Sequence, residues 1–162
     1  MDIGKMALSV GAMLKDRGQT VVVAESSAGG IISASLLAVP GASVYFKGGG
    51  VVYTGASKQI LMGMTDEEMS EDRAATETHA LNLARAARGR LKVDWGIGET
   101  GAAGPTGNRY GDRPGHTCIG VVGPVNLAKT LETGSVERAE NMMTFAAAAL
   151  ELLVKCLNLE PT

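Results

Sequence analysis

Aromatic residues are scarce in this chain, at 4% of 162 residues, with one Trp, three Tyr and two Phe. A core without large rings must be assembled from Ala, Val, Leu, Ile and Met. The eight methionines then read as gap-fillers, and Trp95 as a core residue on its strand. Cysteine is limited to Cys118 and Cys156, whose spacing suits neither a metal site nor a disulfide framework. A reduced cytoplasm is the simplest compartment for such a chain. The formal net charge of −2 gives no basis for nucleic acid or an anionic membrane as partner. No apolar run reads as membrane-spanning, and Met1 to Met6 lacks the layout of a signal peptide. His, Asp and Glu show no metal-ligand spacing, so neither a metal nor another cofactor is expected.

What is present is glycine, 22 residues of it, clustered at turns and without a fixed period. The length suits one domain over 1–162. Ile3, Met6, Ala7, Val10, Met13 and Leu14 recur at helical spacing and predict a first helix ended by Gly18. Thr20 to Ala24 reads as a buried strand, and Gly29 to Val39 as a helix buried on two sides. Val44 to Tyr53 reads as a strand whose Gly48-Gly49-Gly50 predicts a bulge or a close backbone approach. Ala56 to Met62 is a short helix carrying Lys58. Thr65 caps the next, and Thr76 to Leu91 is a longer one. Val93 to Gly98 is a strand that runs into a glycine-rich loop. Two further strands meet at Gly123-Pro124 as a hairpin, and a long Ala- and Leu-rich helix from about Val136 to Leu157 closes the chain. Helices alternating with strands imply an α/β fold, a three-layer α/β/α sandwich, with the hairpin making its sheet mixed.

The chain is organised around Val21 to Ile32. Ser26 and Ser27 fall where a strand ends and a helix opens on Gly29-Gly30, at the positive end of a helix dipole. A hydroxyl there is an anion contact, a nucleophile or an N-cap. Thr100 to Gly107 is a second glycine-rich loop after a strand. It reads either as a backbone approach to a ribose or phosphate or as a flexible turn.

Five segments in order and in register carry a resemblance: Ala24-Glu25-Ser26-Ser27-Ala28-Gly29-Gly30, Val39-Pro40-Gly41-Ala42-Ser43, Gly50-Val51-Val52-Tyr53-Thr54, Lys58, and Thr100-Gly101-Ala102-Ala103-Gly104-Pro105. Together they resemble the CinA C-terminal domain family of nicotinamide-nucleotide amidases, PncC-like and also called competence/damage-inducible. The resemblance covers nearly the whole chain. It implies a domain that hydrolyses the carboxamide of nicotinamide mononucleotide to nicotinic acid mononucleotide and ammonia. Three features depart from the family's pattern. Ser27 stands where a cysteine is common, Glu99 stands where a small or apolar residue is expected, and Asn141 lies near the place of an arginine.

Amide hydrolysis needs a nucleophile, a base and donors for the oxyanion. With the resemblance, the roles fall to Ser26 as nucleophile, Lys58 as base and Tyr53 as the hydroxyl that orients Lys58 or relays its proton. The backbone N–H groups of Ala28, Gly29 and Gly30 are expected to form the oxyanion hole. Glu25, Ser27, Thr100, Gly101, Gly104 and Arg138 complete the expected substrate-binding set. Arg109, Arg113 and Arg138 are the candidates for the phosphate. Glu25 is also a candidate to hold the turn through backbone N–H groups. His79 and His116 read as solvated or structural. The partner expected is a small-molecule nucleotide, with a homo-oligomer suggested by the weakly polar second and last helices. A non-catalytic nucleotide-binding or regulatory module on the same fold is the alternative.

Overall fold

The computed structural model describes residues 2–161. Met1, which belongs to the stretch read for a leader, and Thr162, the end of the expected domain range, lie outside the described residues. The elements run α1 (Ile3–Arg17), β1 (Val21–Glu25), α2 (Ile31–Leu37), a 3-10 turn (Ala42–Val44), β2 (Phe46–Val51), α3 (Gly55–Met62), α4 (Asp66–Glu71), α5 (Glu77–Leu91), β3 (Trp95–Ala102), β4 (His116–Val122), β5 (Leu127–Glu132) and α6 (Arg138–Leu159). The five strands form one sheet in the order β2-β1-β3-β4-β5. β2, β1 and β3 are parallel, while β4 and β5 run antiparallel as the hairpin predicts.

Alternation along β1 divides the core between two faces. Val21 and Val23 join the larger cluster with α1, α2 and α6. Val22 and Ala24 join the smaller one with Met62, Met64, Leu83 and Ala87 from the α3–α5 side. These are the two outer layers of the sandwich. Trp95 is fully buried in the first cluster.

Four expectations need correction. The second helix is only Ile31–Leu37 and is not buried on two sides, since Leu37 is exposed and only Ile32 and Leu36 are buried. The strand expected from Val44 begins at Phe46 after the 3-10 turn. The expected irregularity is there, because Val21 pairs with Phe46 and Val22 with Gly48, leaving Lys47 as an extra residue. β3 continues to Ala102, so Glu99, Thr100 and Gly101 are strand residues paired to β4. Finally, α6 is long and apolar enough to cross a membrane by length and composition. Here its apolar face, with Phe145, Leu150, Leu153 and Leu157 fully buried, fills the core against α1 and α2.

The face under α5 is paved with glycine. A Cβ on Gly98 would lie 2.1 Å from the Ala80 carbonyl oxygen, and one on Gly96 would lie 2.3 Å from that of Ala84. A Cβ on Gly120 of β4 would meet the main chain of Ala80 and Leu81 at 2.7–2.9 Å. Helix and sheet therefore meet backbone to backbone. Gly98→Ala should cost about 1–3 kcal/mol or more, because the obstacle is main chain and cannot rotate away. Gly89→Ala, on the same helix with nothing near its missing Cβ, should instead stabilise by about 0.5–1 kcal/mol. Urea unfolding of the two variants beside the parent checks both signs.

Candidate active site

β1 ends at Glu25, and the chain turns through Ser26 to Gly30 into α2. Gly29 and Gly30 have φ of +66° and +97°, a backbone that only glycine takes in succession without strain. Gly30 leaves the start of α2 without a cap of its own. Glu25 reaches forward to supply it. One carboxylate oxygen accepts the Gly30 and Ile32 N–H groups at 2.8 and 3.1 Å, and the other accepts Ser33 N–H and its hydroxyl at 2.9 and 2.8 Å. Glu25 thus holds the turn, one of its two expected roles. It is fully buried with both oxygens occupied, so it is not a substrate ligand.

Glu99 does the same for the other end of the turn. It sits opposite Glu25 in the β1–β3 register and is fully buried. Its Oε2 accepts Ser26 N–H at 3.0 Å and Ala28 N–H at 2.8 Å. Its Oε1 accepts the hydroxyls of Ser27 and, at 2.7 Å, Thr117. Burial pushes this carboxyl above its ordinary range, and the four donors pull it back. The expected oxyanion hole at Ala28 to Gly30 is therefore not available. Ala28 N–H goes to Glu99, Gly29 N–H to the Ser26 carbonyl at 3.1 Å, and Gly30 N–H to Glu25. Ser27 N–H is the one in this turn with no acceptor among the described residues. Ser27 itself, expected on the substrate, has its hydroxyl turned to Glu99.

Val52 N–H donates to the Glu25 carbonyl at 2.8 Å, which carries the chain from β2 past the Ser26 turn towards α3. Thr54 and Ser57 form a reciprocal capping box that fixes where α3 starts. Lys58 and Met62, four residues apart, then face inward. Lys58 is only 4% exposed. Its Nζ lies 3.0 Å from Nε2 of His79 on α5. No hydrogen bond joins it to Ser26 Oγ or to Tyr53. Burial lowers the Lys58 ammonium below its ordinary range, opposed by the charge of Glu99. Every side-chain polar atom sealed from solvent has a partner among the described residues. The Ser26 hydroxyl has none, and although Ser26 is buried at 6% exposure its oxygen is not completely sealed at the end of β1.

His79 is 1% exposed. Burial and the neighbouring Lys58 push it down to about 4. Its Nδ1–H donates to the Asp72 carbonyl at 3.3 Å, which leaves the Nε2 lone pair for Lys58. His116 is the opposite case. Nδ1 meets the Glu132 carboxylate, and Nε2–H meets the Ala75 carbonyl at 2.9 Å, with Asp112 at 3.7 Å. Both partners can only accept, so the ring carries both protons. Burial works against that charge, but Glu132, the Ala75 carbonyl and Asp112 raise the pKa overall.

The remaining expected residues are scattered. Tyr53 is 60% exposed, and its hydroxyl accepts from Arg138 Nη2 at 3.3 Å. Arg138 also donates to the Gly104 carbonyl, so Tyr53, Gly104 and Arg138 do come together. Thr100 is buried, with its hydroxyl accepting Ala75 N–H at 3.0 Å and its carbonyl accepting from Thr117. Gly101 is pressed against β4, where a Cβ would lie 2.3 Å from the His116 carbonyl oxygen. Neither is free for a ligand. Arg109 bonds the Tyr110 hydroxyl, on a loop that Arg73 pins through a two-point pair with Asp112 at 2.7 and 3.1 Å. Asn141, near which an arginine is expected from the resemblance, ties three segments. It donates to the carbonyls of Ala103 and Ser135, each at 2.8 Å, and accepts from Thr133 at 2.6 Å. A cleft of about 710 Å³ between β5 and α6 is lined by no serine, threonine or cysteine, so chemistry selects the Ser26 site over it.

Two outcomes follow from these charges. Glu99→Gln should change stability by less than about 1 kcal/mol, since an amide oxygen can face the two N–H groups while its NH₂ faces the two hydroxyls. Glu99→Ala strands all four donors and should cost about 2–4 kcal/mol in urea unfolding. His79 is protonated in the unfolded chain below about pH 6.5 but in the folded one only near 4. Its contribution is thus fully present above pH 6.5 and falls by about 3 kcal/mol as the pH drops to 4. Ring-carbon NMR shifts of His79, followed beside urea midpoints, measure both.

Comparison with known proteins gives the same fold and a family. A family model described as the CinA C-terminal domain matches residues 3–157. A CinA-like protein of Synechococcus elongatus is 34% identical over 158 residues, which is 96% of this chain and 38% of that protein. A CinA-like protein of Prochlorococcus marinus is 42% identical over 112 residues, 69% of this chain and 26% of its own length. The chain thus spans about two-fifths or less of these relatives. The crystal structure of a competence/damage inducible protein, CihA from Agrobacterium tumefaciens, superposes with a TM-score of 0.89 at 28% identity, covering 98% of this chain and 96% of that one. The competence damage-inducible protein A of Klebsiella pneumoniae shares the fold with a TM-score of 0.92 at 20% identity, covering 99% of this chain and all of its own. On sequence and on fold alike, this chain belongs to the CinA C-terminal domain family.

Proposed function

We propose that the domain is an amidase that hydrolyses the carboxamide of nicotinamide mononucleotide, with Ser26 as nucleophile and Lys58 as general base. The observation that carries this reading is the Ser26 hydroxyl, without a hydrogen-bond partner among the described residues, together with a buried lysine whose one hydrogen-bond partner there is a neutral imidazole. Desolvation favours the free amine of Lys58, the form a base requires. In the reaction, Ser26 Oγ attacks the carboxamide carbon and its proton passes to Lys58. The tetrahedral intermediate collapses as Lys58 returns that proton to the departing nitrogen, which leaves as ammonia. Water, deprotonated by Lys58, then attacks the Ser26 ester, and Lys58 returns that proton to Ser26 Oγ as the acid departs.

Ser27 N–H is the oxyanion donor in this reading. It belongs to the residue after the nucleophile, which is where such turns commonly supply one. Arg138, between Tyr53 and Gly104, supplies the cation for the phosphate. Tyr53, 60% exposed and bonded through its hydroxyl to Arg138, stands with that cation in this reading.

A second reading has one observation in its favour. Glu99 occupies two backbone N–H groups of the turn, which suits a nucleotide-binding module without chemistry. Ammonia release from nicotinamide mononucleotide decides between the two. The amidase reading expects turnover by the parent chain and a drop of about 10³-fold or more in both Ser26→Ala and Lys58→Ala. Calorimetric binding of the nucleotide without ammonia would establish the module instead.

A further inference from the structure

We infer that His79 is a positioning residue for Lys58: its ring accepts a hydrogen bond from Nζ and so holds the buried amine in one orientation without placing a negative charge beside it. This rests on the amidase reading above and extends it to a residue outside the nucleophile turn.

Geometry supplies the argument. Lys58 Nζ is buried and has a single hydrogen-bond partner among the described residues, His79 Nε2 at 3.0 Å. A buried amine needs an acceptor for its N–H. A carboxylate in that place would satisfy it, but its charge would hold the lysine as ammonium. A neutral imidazole accepts without adding negative charge. The ring is fixed in that role from two sides. Its Nδ1–H donates to the Asp72 carbonyl at 3.3 Å, which sets the tautomer. Its own backbone N–H donates to Thr76 Oγ1 at 3.2 Å, which sets its place in the first turn of α5. Thr76 in turn donates to the Arg73 carbonyl at 2.7 Å, so the α4–α5 turn is locked to the ring it orients.

Electrostatics agrees with this placement. Two groups able to carry positive charge 3.0 Å apart resist being protonated together. The ring, held down to about 4, is too weak a base to take the Ser26 proton itself. It orients the base and does not replace it. The other charged groups facing the pair are Glu99 from β3 and Asp72 from the α4–α5 turn. Glu99 is the one that favours the ammonium, and its four donors hold its charge in the turn.

The test titrates Lys58 by NMR of its side-chain Nζ and Cε in the full chain, with Lys58→Arg to assign the signals. The panel is the parent, His79→Gln, His79→Glu and His79→Leu. The parent should titrate below an ordinary lysine. His79→Gln, a neutral acceptor, should stay close to it. His79→Glu should raise the Lys58 pKa by about one to three pH units and move the acid limb of kcat/KM for ammonia release by the same amount. If His79→Glu fails to fold, His79→Gln against His79→Leu takes its place. A lower kcat with unchanged KM in the leucine variant alone supports positioning, and equal kcat in the two overturns it. An unmoved Lys58 titration in folded His79→Glu also overturns the inference. A parent without ammonia release but with the expected Lys58 shifts would remove the amidase reading and leave the positioning of Lys58 standing.

Discussion

The carboxyl group of Glu99 has no access to water, and the Ser26 turn is built around it. Two backbone N–H groups and two hydroxyls converge on it from the Ser26–Ala28 turn and from β4. A charge in that position is tolerable only because four donors replace its hydration. Glu25, its neighbour across the strands, performs the same service for the start of α2. Two buried carboxyl groups therefore take N–H groups that a helix N-terminus would otherwise offer a ligand. The turn comes preassembled, with Ser27 N–H, which has no acceptor among the described residues, next to the Ser26 hydroxyl.

On the other side of that turn the chain avoids charge. Lys58 is desolvated and paired with a ring that is itself kept neutral. The second histidine, made cationic by Glu132 and Asp112, stands on β4 and fastens Ala75, a residue held at φ +61° just before α5. Thr100 fixes the same residue through its N–H. The left-handed backbone at Ala75 is thus determined by partners on two strands, which is how an unfavourable conformation persists. The consequence reaches the site, because this segment presents the Asp72 carbonyl to His79.

Much of this was legible in the sequence, and the reasons are specific. The β-branched run at Val21–Val23 and the Gly29-Gly30 pair have few alternatives to a buried strand and a left-handed turn. The Thr54–Ser57 and Thr65–Glu68 boxes mark their helices by local chemistry alone. Of the two readings given to His79, solvated or structural, the fold takes the second. The place of His79 on the 79, 80, 83, 84, 87 stripe, the buried face of α5, carried the signal. Glu99 stood out as an anomaly, yet its partner Thr117 is 18 residues away and comes beside it only when β3 and β4 pair. Thr100 and Gly101, expected in a loop, lie in the strand for the same reason. Local reading ends β3 at Gly98, while antiparallel pairing extends it to Ala102.

The glycine floor beneath α5 separates two properties that are usually entangled. Where a helix rests on side chains, repacking the core changes its height, and any group it carries moves with it. α5 rests on peptide groups of β3 and β4, and peptide groups have one size. Core residues such as Leu83 and Ala87 can therefore be exchanged for better or worse packing while the imidazole of His79 keeps its distance from the sheet. Stability becomes free to drift under mutation, and the geometry around the lysine stays inherited.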